Sequence, residues 1–325
     1  MAFRVPLYIS NTGGGTYSAN FSLLTSSGTW TKPAGLLFLE VICIGAGGGG
    51  ASGAKRASGT AAIAGGGASG GSIAWESLRE NQLGSTEVYT VGAGGNGGAS
   101  VTTNSTAQSN GSGGGNTFFG SATNTTAKCR ADGGAGAFTV NAGAARSTAN
   151  IAGDTSISRV TGLPCQAGAA ASGTGLGGFA ATAQNTGAVW NTIYGGGSGG
   201  GITSANAASA GGAGSRFYSD AVANLSSLNG GAIDTNGGDG VNNWFIRIPF
   251  MIGFNKYSNV INVGYGTPGG GGGSSITGNA GRGGDGGLYG AAGGGGGSAR
   301  DNVGNSGRGG NGANGCIILI EHTLT

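Results

Sequence analysis

Few residues in this 325-residue sequence could do covalent chemistry, and their spacing argues against it. The one histidine, His322, follows the apolar run CIILIE and reads as a solvated residue rather than a general base. The 12 acidic residues are dispersed. No two lie close enough along the chain to suggest paired carboxylates, although folding could bring distant ones together. No G-x-S-x-G elbow raises a nucleophilic serine. The four cysteines, Cys43, Cys129, Cys165 and Cys316, form no C-x-x-C, and with one histidine they cannot complete a zinc-type ligand set. They read as small buried hydrophobes. A Cys43–Cys316 disulfide is open only if their two strands are neighbours. The segment 45–50, GAGGGG, fits G-x-G-x-x-G after a strand, but no helix-forming stretch follows and no acid for a ribose stands about twenty residues on. The expectation is a protein with no catalytic residues, no metal and no cofactor, hence not an enzyme.

The sequence does offer groups for binding. Large aromatics stand outside the glycine-rich stretches at Trp190, Tyr194, Phe217, Tyr218, Trp244, Phe250, Phe254 and Tyr257. Aromatic rings stack on sugars and anchor protein interfaces with large contact area and little entropy loss. The same side chains could instead pack between layers of the frame. The densest cluster, WFIRIPFMIGFNKY over 244–257, reads either as a core strand or as an exposed aromatic loop, and Pro249 demotes it from a central strand without deciding between the two.

These groups need a frame, and glycine supplies it. The chain has 80 glycines and 5 prolines, about a quarter of all residues and near the level of low-complexity disorder. Only 8% of residues are charged, however, and the apolar residues sit in compact strand-like clusters, both unlike a disordered chain. Glycine recurs in steps of three at Gly281, Gly284, Gly287, Gly290, Gly293 and Gly296, and again at Gly309, Gly312 and Gly315. That period fits neither an α-helix nor a strand. It is the period of the polyproline II helix, which rises about 3.1 Å per residue, so a rod over 281–297 would span roughly 50 Å. Collagen is excluded, because the register breaks repeatedly and proline is scarce. The expected fold is mainly β and irregular, with short β-strands clamping a bundle of polyproline-II-like (polyglycine II) rods joined by variable loops. Neighbouring rods would pair N–H with C=O, because a polyproline II helix cannot pair them internally.

The clamp is expected in LFLEVICI at 37–44 and CIILIE at 316–321; in the first, apolar residues fall on both faces and predict a buried strand. The segment EVYTV at 87–91, before GAGGNGG, predicts another strand. Lys32 to Gly35 reads as a turn after a short strand ending at Trp30. Residues 72–83 are the one plausible helical turn, although Ile73, Trp75 and Leu78 could equally belong to a strand. Residues 1–27 form an N-terminal attachment element and 28–325 a rod-and-loop domain.

The net charge of +3 is too small and too scattered for a nucleic-acid footprint. No apolar run approaches the length of a membrane span, and MAFRVPLYIS lacks the pattern of a signal peptide.

Taken in order, TWTKPAG, LEVICIGAGGGG, EVYTVGAGGNGG, GNTFFGS, GRGGDGGLYGAAGGGGG and GGNGANGCIILI resemble the glycine-rich domain of bacteriophage tail proteins, over nearly all of 28–321. The body also resembles the tip adhesins of T-even-type tail fibres. The resemblance implies a virion protein of the phage tail that acts outside the cell. It would recognise a host receptor, which could be an outer-membrane protein, a pilus or a polysaccharide. It would join other tail proteins through residues 1–27, as a homotrimer or as a monomer capping a trimeric fibre. The alternative is a structural virion protein, a decoration or baseplate component, or a glycine-rich surface matrix protein without a recognition role.

Overall fold

The structure is a computed structural model and describes residues 7–10, 16–121, 123, 126–138, 195–214, 229–242, 244–250 and 259–324. It is mainly β and irregular, as the composition predicts. Two antiparallel sheets form the clamp. One comprises β1 (Leu7–Ser10), β2 (Thr16–Leu24), β4 (Leu36–Ile44), β6 (Ile73–Arg79) and β13 (Cys316–Leu324), in the order β1-β2-β13-β4-β6. The other comprises β3 (Gly28–Thr31), β7 (Thr86–Thr90), β8 (Thr117–Phe119) and β9 (Cys129–Ala131), in that order. β4 and β13 are central neighbours in the larger sheet, and Leu39, Val41, Cys43, Ile317 and Leu319 face the second sheet in a shared core. The core includes Trp30 and Phe119, whose rings meet edge to face at 5.8 Å. Such a pair adds about 0.5–1.5 kcal/mol beyond the area it buries.

The opposite face of the larger sheet carries a second apolar cluster of Ile42, Ile44, Ile73, Cys316, Ile318 and Ile320. This alternation removes the disulfide reading. Ile317, not Cys316, pairs with Cys43, so the two sulfurs lie on opposite faces of adjacent strands. Cys43, Cys129 and Cys316 are all free and buried. The 72–83 segment resolves as strand, followed by a single 3-10 turn at Glu80–Gln82. β4 pairs with it along its length and leaves no backbone for a helix.

Each strand of the clamp that meets the glycine segments runs straight into a rod. Rod 45–54 shows how the rods bond. Gly45, Gly48, Ala51 and Ala54 donate their N–H groups to Ser72, Ser69, Gly66 and Ile63; Ala46, Gly49 and Ser52 donate to Gly115, Ser112 and Ser109; Gly47, Gly50 and Gly53 donate to Ala313, Gly310 and Gly307. Every third residue thus faces the same neighbour, the signature of three residues per turn. Its carbonyls accept in the same step from rods starting at 92, 132 and 290: Gly95 and Gly98 to Gly47 and Gly50, Gly134 and Ala137 to Ala46 and Gly49, Gly293 and Gly296 to Gly48 and Ala51. Rods 45–54, 266–275 and 290–298 are surrounded in this way on every side. A Cβ at Gly47 or Gly50 would collide with the backbone carbonyl of Ala291 or Gly294, so the approach that permits these bonds requires glycine.

One expectation about the rods fails. Residues 281–297 do not form a single rod of roughly 50 Å. The chain turns at 288–290, and Gly294 and Gly297 donate back to Gly284 and Gly281, so 280–287 and 290–298 are antiparallel neighbours. Tyr289 explains the break, because it packs against the second apolar cluster of the clamp instead of continuing the rod. Each piece is then about 20–30 Å long.

Candidate binding face at the far end of the bundle

The clamp strands all meet the rods at one end, so the described turns between rods, apart from 288–290, collect at the other. They are residues 55–62, 102–106, 203–207, 233–235, 276–279 and 300–304. At this tip rods 45–54 and 290–298 continue into a short parallel ribbon of β5 (Lys55–Arg56) and β12 (Ala299–Arg300).

Arg300 organises the tip. It is buried, and its Nη1 donates to the carbonyls of Ala57 at 2.8 Å and Thr60 at 2.5 Å, while Nη2 donates to Thr203 at 2.7 Å. One guanidinium therefore ties two turns to the ribbon. Its fork of fixed donors suits this task better than a lysine would. Burial lowers its pKa from the usual arginine value, partly offset by Asp301. The next residue continues the network: Asp301 accepts from the N–H and the hydroxyl of Ser105, each at 2.8 Å. Asn104 Nδ2 donates to Asn302 Oδ1 at 2.6 Å, and Asn302 N–H returns a bond to Asn104 Oδ1 at 3.2 Å. Lys55 Nζ donates to the Thr102 carbonyl at 3.0 Å, and Asn206 Nδ2 to Ser58 Oγ at 2.7 Å.

The tip also concentrates unusual backbone. Among the described residues, every non-glycine residue with positive φ lies in its turns: Ser105 at 56°, Asn206 at 64°, Asp234 at 65° and Asn302 at 60°. Such positions cost free energy and persist where surrounding bonds over-determine them. The outer surface is made of hydroxyls and amides with exposed Ile233, Ile276 and Val303 between them. The charges of Lys55, Arg300 and Asp301 are engaged in bonds within the tip. This is a cross-braced surface suited to contact, built from turns rather than aromatics.

The sequence-predicted aromatics are not at this tip where they are described. Trp244 and Phe250 lie on β10 (Trp244–Phe250), which pairs with β11 (Asn259–Tyr265) in a two-stranded ribbon, opposite Tyr265 and Asn259 respectively. β11 leads directly into rod 266–275, which places the ribbon at the clamp end. Trp190, Tyr194, Phe217, Tyr218, Phe254 and Tyr257 lie outside the described residues. The tip turns carry a sequence signal that aromatic content does not register: short Ser, Thr, Asn and Asp clusters such as TTNST at 102–106 and RDNVG at 300–304.

The clamp holds a second polar cluster. His322 is fully buried rather than solvated, because β13 continues past CIILIE to Leu324 and carries the ring into the sheet. Phe38 stacks on it at 3.9 Å, Tyr17 hydrogen-bonds its Nδ1, and Glu40 Oε1 lies 3.8 Å from its Nε2. Burial pushes Glu40 up to about 7 and His322 down to about 4. Both groups are thereby held toward their neutral forms. Among the described residues no group of three or more His, Cys, Asp or Glu could hold a metal ion.

No curated protein matches the sequence. A glycine-rich domain pattern matches residues 23–247, from the end of β2 to β10, across most of the clamp and many of the rods. The chain belongs to the glycine-rich domain family.

Proposed function

We propose that the protein is a receptor-binding component of a phage tail, displaying the tip turns to a host surface while the clamp end holds it to the virion. The observation that carries this reading is the division of labour in the fold. Main-chain bonds build a rigid frame, and polar turns from distant parts of the chain are braced into one surface at its far end by Arg300 and Asp301. A rigid scaffold with variable loops is a recognition architecture. The role is binding without catalysis. Residues 1–27 include β1 and β2 at the edge of the larger sheet, away from the tip, and this position suits attachment to other tail proteins. The partner at the tip is a host outer-membrane protein, pilus or polysaccharide.

The test is binding of purified protein to bacterial cells and its ability to block infection by the phage that carries it. Substituting exposed tip residues such as Thr103, Ile233 and Val303 should abolish both while leaving the melting temperature unchanged. Natural protein that binds no host and blocks no infection, or that localises to the capsid shell, would end this reading.

A further inference from the structure

A bundle of this kind has an edge problem. A polyproline II rod bonds outward in every direction, so the outermost rods should present rows of open N–H groups to which another rod could add. The same hazard is known for the edge strand of a sheet.

Rod 280–287 shows how one face avoids it. Gly281, Gly284 and Gly287 donate to rod 266–275, and Ala280, Gly283 and Gly286 donate to rod 305–315. The third row belongs to Arg282, Asp285 and Leu288, and side chains receive it. Arg282 N–H donates to Asn236 Oδ1 at 3.0 Å, Asp285 N–H to Asp239 Oδ1 at 2.9 Å, and Leu288 N–H to Asn242 Oδ1 at 2.7 Å. The acceptors also recur in steps of three. The pattern repeats on the next rods: Asn305 and Asn311 donate to Asn279 Oδ1 and Asp285 Oδ1 at 2.8 and 2.7 Å, and Gly97 and Gly94 donate to Asn311 Oδ1 and Asn314 Oδ1 at 2.9 and 2.8 Å. An Asn or Asp oxygen thus stands where the carbonyl of one more rod would stand. Arg282 closes the row further by pairing with both Asp239 and Asp285.

We propose that this Asn/Asp ladder is an edge seal that stops the bundle from adding a rod of a second copy of the chain along the face formed by rods 235–241, 280–287, 305–315 and 92–98. The occupant it excludes is a second copy, because such a copy carries rods of matching length, period and bonding pattern. The seal uses the acceptor oxygen alone. Aspartate can replace asparagine in it, and alanine cannot.

The test compares the full chain with Asn236→Ala/Asn242→Ala and, separately, Asn311→Ala/Asn314→Ala, with Asn236→Asp/Asn242→Asp as the control that keeps the oxygen. Sedimentation velocity over a wide concentration range reads self-association, circular dichroism confirms folding, and hydrogen exchange follows the amides of Arg282 and Leu288. The alanine pairs are expected to stay folded and to self-associate at a concentration at least tenfold below that of the natural protein. The Arg282 and Leu288 amides should exchange rapidly in the dilute first variant and regain protection as it associates. The aspartate control should behave as the natural protein does. Folded alanine variants that associate no more than the natural protein would overturn the proposal. So would association of the aspartate control, or loss of folding in both alanine pairs, which would assign these side chains to stability alone.

Discussion

Glu40 Oε1 lies 3.8 Å from His322 Nε2 on the buried face of neighbouring strands, and burial shifts the two groups in opposite directions. Burial raises the carboxyl from its ordinary 4.5 to about 7 and lowers the imidazole from 6.5 to about 4. Stability carried by protonated Glu40 is full below pH 4.5 and is lost as pH rises to 7. Stability carried by neutral His322 is full above pH 6.5 and is lost as pH falls to 4. Between 4.5 and 6.5 the two slopes oppose, and Glu76, also raised to about 7 by burial, adds a slope of Glu40's sign, so the natural protein should lose stability as pH rises through that window. Single substitutions should change this slope in opposite directions. Relative to the natural protein, Glu40→Gln should make the fall shallower and His322→Gln should make it steeper, each by up to about 1.4 kcal/mol per pH unit. Urea midpoints measured at pH 5 and pH 6.5 check this; slopes displaced in the same direction by both variants would refute it.

Glycines should divide sharply by place. Gly47→Ala drives a methyl into the Ala291 carbonyl and parts rods that bond there. The cost should be on the order of 3 kcal/mol or more, combining overpacking with lost hydrogen bonds. Gly278→Ala meets nothing within 4 Å. It should be neutral or stabilise by about 0.4–1 kcal/mol through the unfolded chain. Equal effects of the two in thermal melts would contradict the rod geometry.

Arg300→Met leaves the carbonyls of Ala57, Thr60 and Thr203 without their donor. A loss of about 2–3 kcal/mol is expected, as for charge-assisted bonds. Hydrogen exchange should quicken in 55–62 and 203–207 and stay unchanged in the core of β4. A uniform rise in exchange across the chain would place Arg300 in the global core instead.

Cys43, Cys129 and Cys316 should resist a thiol reagent in the native protein. Each is buried, and burial raises the Cys43 and Cys316 thiols above their ordinary value, which removes the reactive thiolate. Mass spectrometry after labelling should find them modified only under unfolding conditions. Rapid native labelling of any of them would show that the sandwich opens.

The glycine register and the strand patterns were enough to read the rods, the clamp and its two central strands, because both rest on main-chain periodicity. Other features depend on what a side chain touches. The turn at 288–290 breaks an unbroken glycine register, because Tyr289 finds a place in the clamp. His322 looks like a tail residue until Phe38 and Tyr17 enclose it. The Asn and Asp residues among the glycines carry the same period of three, yet their bonding to a neighbouring rod becomes visible only once the rods are side by side. The tip turns announce themselves as turns by composition. That they share one surface follows from the direction of each rod, which no local pattern reports.

The one-third rotation of every rod residue has a final consequence. The frame has something like a reading frame in three dimensions. Adding or removing three residues within a rod slides it along its axis and returns each N–H to the same neighbour. A change of one or two residues turns all later donors by about 120° toward the wrong partner. Insertions and deletions inside this bundle should therefore be tolerated in multiples of three, as in a coding sequence, while the turns at the tip remain free to change length by any number.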